Sequence, residues 1–105
     1  MVNKRRGEIE AMLGGKSFVL CLTLGALAEL EVAMQTDDLN GIAERFQEGR
    51  ISSRDLISII GAGLRGGGNA ISNHDLEQMS IDGGAVGAAK IAAELLAATF
   101  GESEA

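Results

Sequence analysis

Gly14 and Gly15 sit between two short runs whose apolar residues alternate with other types, and this limits what the first part of the chain can become. A Gly-Gly pair tolerates the positive φ angles that a two-residue hairpin turn demands. A hairpin is therefore expected over about 7–23. A two-residue loop pairs Leu13 with Lys16, Ala11 with Phe18 and Ile9 with Leu20. Successive side chains point to opposite faces of a strand. Ile9, Ala11, Leu13, Phe18, Leu20 and Leu22 then share one face, and Glu8, Glu10, Met12, Ser17, Val19 and Cys21 share the other. The first face is almost wholly apolar and needs a cover. An isolated hairpin is only marginally stable in water.

The rest of the chain supplies that cover as helices. Thr23 can cap a helix over about 24–35 with Leu27, Leu30 and Met34 on one side. Asp37 or Asp38 can cap a second over about 39–48, where Leu39, Ile42, Ala43 and Phe46 form a stripe, and Gly49 suits its left-handed end. Ser52 and Asp55 make a start signal for a third over about 53–65, with Leu56, Ile57, Ile60 and Leu64 inward. Gly66-Gly67-Gly68 ends it. Ser72 and Asp75 repeat the signal before a short helix with Leu76 and Met79. A last helix over about 84–99 carries Val86, Ala89, Ala93, Leu96 and Phe100 as its expected stripe. The tail 102–105 reads as frayed. The expected fold is α+β, one small domain over 1–105, with an N-terminal two-stranded hairpin packed against four or five helices over about 24–100. The expected core includes Ile9, Phe18, Leu20, Leu27, Leu30, Ile42, Phe46, Leu56, Ile60, Leu96 and Phe100.

Composition narrows the function. The net charge is −6, and aromatic residues are 3% of the chain, with no Trp or Tyr. Nucleic acid demands clustered Lys and Arg, whereas the basic run Lys4-Arg5-Arg6 is followed closely by Glu8 and Glu10. Nucleic acid is not an expected partner. Cys21 is the sole cysteine and His74 the sole histidine, too few for a zinc site or an intrachain disulfide. The apolar stretch Phe18 to Ala28 is too short to span a membrane. The acids at Glu8 and Glu10 argue against a leader peptide there.

No catalytic, cofactor or metal residues are expected. Gly61-Ala62-Gly63-Leu64-Arg65-Gly66 fits the G-x-G-x-x-G pattern, but at the end of a predicted helix, where the carbonyls would repel phosphate. Close packing followed by a helix cap is the expected reading. His74 beside Asp75 lacks a nucleophile, and Cys21 lacks an activating partner. The small residues of the last helix, Gly87 and Ala88 among them, suit close backbone approach by the chain's own hairpin or by a partner helix.

Four segments carry a resemblance: Asn3-Lys4-Arg5-Arg6-Gly7-Glu8-Ile9, Leu20-Cys21-Leu22-Thr23-Leu24-Gly25-Ala26-Leu27-Ala28-Glu29-Leu30-Glu31, Gly63-Leu64-Arg65-Gly66-Gly67-Gly68 and Leu95-Leu96-Ala97-Ala98-Thr99-Phe100-Gly101. Together they are similar to a small family encoded in gene transfer agent clusters, over about residues 3–101. The resemblance implies a part in building a phage-like tail. It favours a tail assembly chaperone that holds the tape measure protein or other tail proteins, with a structural subunit of the tail tube as the alternative. A cytoplasmic protein of the producing bacterial cell is expected, in some states particle-associated, and an exposed apolar face left without its client would invite pairing with a second copy. Arg65 with Gly66, Gly67 and Gly68, and Gly87 with Ala88, are the candidate partner-binding residues; no cofactor and no membrane partner is expected.

Overall fold

The computed structural model describes residues 6–101. Lys4 and Arg5 of the basic run, and the tail 102–105, lie outside the described residues. The elements run β1 (Glu8–Leu13), β2 (Lys16–Cys21), α1 (Leu24–Met34), α2 (Leu39–Gln47), α3 (Ser53–Gly66), α4 (Asn73–Glu77) and α5 (Gly84–Phe100). The architecture is the expected α+β arrangement of an N-terminal antiparallel hairpin followed by five helices.

The hairpin pairs Leu13 with Lys16, Ala11 with Phe18 and Ile9 with Leu20, in the register expected from the turn. Gly14 and Gly15 have φ of 58° and 83°, which a side chain would resist. The Gly14 N–H donates to the Ser80 carbonyl at 2.8 Å, so the turn is also tied to the segment after α4. On the inner face Ile9, Ala11, Leu13, Leu20 and Leu22 are buried, and Phe18 is partly buried. Met12 on the outer face is 53% exposed.

Side-chain caps start four of the helices. Thr23 Oγ1 accepts from Ala26 N–H at 3.1 Å, and Asp38 Oδ1 accepts from Gly41 N–H at 2.8 Å. Ser52 with Asp55, and Ser72 with Asp75, each form a reciprocal capping box. Such caps satisfy N–H groups that a helix leaves without internal partners. Arg45 on α2 donates through Nη1 to the last-turn carbonyl of α1, Met34, at 3.0 Å, and lies 3.6 Å from the Asp55 carboxylate on α3. It thereby fastens α2 between its two neighbours.

α3 lies at the centre of the fold. Its residues Ile59, Ile60, Ala62 and Leu64 are buried, and it packs against α1, β2, α4 and α5. The other expected core residues Leu27, Leu30, Ile42 and Leu96 are buried, while Phe46 and Leu56 are partly buried against the core.

The expected face of α5 is corrected. Its buried residues are Ala88, Ala92, Leu95 and Leu96, whereas Val86 is 71% and Phe100 36% exposed. Phe100 therefore leaves the expected core. α5 is apolar nearly all round, so its sequence supports more than one inward face. The side that turns in is the one whose small Ala88 and Ala92 allow close approach to α3 and β1.

Candidate functional site

Arg65 stands in the last turn of α3, where a positive charge is favoured by the helix end. Its guanidinium is engaged within the chain. Nη1 donates to the Ile71 carbonyl at 2.8 Å, and Nη2 donates to Asn73 Oδ1 at 3.1 Å and to the Glu29 carboxylate. Arg65 thus joins α1, α3 and the segment leading into α4. Such a fork of donors fits a structural clasp.

Gly66 and Gly67 are pressed on the backbone of β2. A Cβ on Gly66 would overlap the Cys21 carbonyl oxygen, and one on Gly67 would overlap that of Val19. Asn69 completes the seam: its Nδ2 donates to the Val19 carbonyl at 2.8 Å and to the Leu64 carbonyl at 3.1 Å. Gly68 is exposed, with φ of 94° and open space around the missing Cβ. Of this expected group, Gly68 alone faces outward.

The same logic explains the G-x-G-x-x-G pattern. Gly61 admits the Asn73 side chain, Gly63 admits Leu95 and Leu20, and Gly66 admits the β2 backbone. Each glycine opens α3 to a different neighbour. The pattern lies inside a helix and ends at its C-terminus, where no phosphate-cradling loop forms.

Gly87 and Ala88 are not a free surface. A Cβ on Gly87 would overlap the Asp82 carbonyl oxygen, and Ala88 is 8% exposed. Leu at these two positions would strain the start of α5, so such a change would not leave the fold intact. The structure does not bring the two expected groups together: Arg65–Gly68 is at the β2 seam, and Gly87–Ala88 is at the base of α5.

Beside Ala88 the structure places a feature that the stripes on paper do not reveal. An open groove of about 240 Å³ runs between α3, α4 and α5, lined chiefly by Leu56, Ile57, Leu76, Met79, Ile81 and Ala85. Ser53 and Glu77 are the polar members of its lining. A small-molecule site is usually larger and has convergent polar groups. The partly buried Met79 and Ile81, which fall outside any long helix, were the available signal.

Cys21 is partly buried, and its Sγ donates to the Arg6 carbonyl at 3.4 Å. Burial pushes its pKa above the usual thiol value, the Glu8 carboxylate adds to the rise, and Arg6 opposes it. The thiolate needed for nucleophilic attack is thereby disfavoured. His74 is exposed at the start of α4. Among the described residues no group of three His, Cys, Asp or Glu side chains is placed to hold a metal ion. No helix among them is long and apolar enough to cross a membrane.

A family model described as phage tail tube protein, GTA-gp10, matches residues 6–102. No curated protein and no solved structure matches the chain.

Proposed function

We propose a structural role in the tail tube of a phage-like particle for this chain, which belongs to the family described as phage tail tube protein, GTA-gp10. One observation carries the proposal: the match runs over residues 6–102, so every described element lies within the family pattern. The chain acts by contact with other tail proteins and with copies of itself, and performs no chemistry. A thiol held in its protonated form and an Arg65 engaged by intrachain acceptors are consistent with that. It is made in the cytoplasm of the producing cell and leaves it with the particle. Deleting the gene should yield heads without tails, and complementation should restore them. Tails of normal length and number in the deletion strain would overturn the proposal.

A second reading is the assembly chaperone, which holds the tape measure or another tail protein and is then displaced. The open apolar groove at α3, α4 and α5 favours it, because an amphipathic helix can rest in such a groove and leave again. The two readings differ in whether the mature particle keeps the protein.

A further inference from the structure

The hairpin has two edges, and the structure treats them differently. In the register, Val19 lies opposite Glu10 and Cys21 opposite Glu8. The carbonyls of Val19 and Cys21 face α3, as their closeness to Gly67 and Gly66 shows. Directly opposed residues of an antiparallel pair point their backbone groups either both inward or both outward. The N–H and C=O groups of Glu10 therefore point away from β2, as do those of Met12 by the same alternation. Among the described residues, the backbone groups of Glu10 and Met12 have no partner. The outer edge of β1 offers two donors and two acceptors in the spacing of a strand.

We propose that this edge accepts an extended segment of a different protein, with basic side chains at alternate positions, as a third strand. The charges beside the edge select the partner. Glu10 projects from the outer face together with the exposed Met12, and Glu8, partly covered and 4.0 Å from Arg6 Nε, adds to the charge at its end, so Glu10 carries most of the selection. Ser17 Oγ donates to the Glu10 carboxylate and holds it over that face. A strand laid alongside brings its own side chains within about 5 Å of these, where opposite charges stabilise and like charges destabilise.

A second copy is disfavoured as the occupant on two counts. Antiparallel pairing of β1 with β1 of a second copy sets two Glu10 carboxylates face to face when centred on Glu10, and as diagonal neighbours on one face when centred on Ala11. Pairing with β2 of a second copy is blocked, because Gly66, Gly67 and Asn69 cover that edge. Contacts between copies, if the tube reading holds, are then expected on other surfaces. The inference concerns this edge and does not depend on the tail role.

Nuclear magnetic resonance titration of the full chain tests it, with a capped seven-residue peptide alternating lysine and valine as the probe. Saturable shifts centred on the Glu10 and Met12 amides, with slowed hydrogen exchange at both, are expected. The peptide with glutamate in place of lysine should bind at least about tenfold more weakly. Glu10→Pro removes an outward N–H, a change that an edge strand tolerates, and should weaken binding by a similar factor. The charge-reversing pair Glu8→Lys and Glu10→Lys should exchange the preference of the two peptides, which keeps the test decisive should the proline variant misfold. Equal binding of both peptides, shifts centred on the groove near Leu56 and Met79, or no saturable binding would overturn the inference.

Discussion

β1 and β2 are each six residues long and lie in one sheet, yet one outer edge is sealed and the other is open. Beside β2 the end of α3 brings Gly66 and Gly67 onto the strand backbone, and Asn69 bonds the Val19 carbonyl. Beside β1 the backbone of Glu10 and Met12 has no such cover among the described residues, and two glutamates flank it. The difference lies in the neighbours rather than in strand propensity. An exposed edge is a template for pairing with another chain, and charged residues limit the chains that can pair. The sealed edge holds the sheet to α3, and the open edge remains for a partner.

Substitutions can break the comparison at its strongest point first. Gly67→Ala would force a methyl group into the Val19 carbonyl, and backbone cannot swing aside as a side chain can. A loss of about 3 kcal/mol is expected in urea unfolding, at the upper end for overpacking. A loss below about 1 kcal/mol would mean the seam is looser than described. Ala11→Pro removes an N–H that points into the ladder and should cost about as much. Glu10→Pro, one position away on the open side, should cost clearly less, and equal costs would refute the assignment of inward and outward groups. Asn69→Ala removes two hydrogen bonds to carbonyls at the seam, and about 1–2 kcal/mol should be lost. At the small end, Met12→Ala should change stability by no more than about 0.5 kcal/mol, since Met12 is half exposed. A larger loss would place Met12 in a contact with the rest of the fold.

Much of this asymmetry can be anticipated from the sequence, and part of it cannot. The turn glycines and the period-two pattern determine the register, and the register determines which residues of β1 and β2 point outward. Local signals also mark the helix starts: Thr23, Asp38, Ser52 and Ser72 all serve as the caps their positions suggest. What covers β2 is a tertiary fact. In the sequence, Gly66-Gly67-Gly68 reads as a helix stop, and only the packed structure shows that the first two glycines also admit a strand. The inward face of α5 is hidden for a different reason. With Ala or Gly at eight positions between Ala85 and Ala98, period alone cannot tell which side is buried. Arg65 looks like a surface handle because its acceptors, Glu29, Ile71 and Asn73, are scattered along the chain. The family was legible in the terminal and mid-chain motifs, and the match over residues 6–102 bears that out.

Quantitative mass spectrometry of purified mature particles tests the proposed role most directly. As a tube subunit, the protein should be present in every particle at a constant ratio to the other tail proteins, in a copy number suited to one or more complete rings. Mature particles with little or none of it, while cells that cannot make it produce no tails, would contradict the tube role and establish the chaperone in its place.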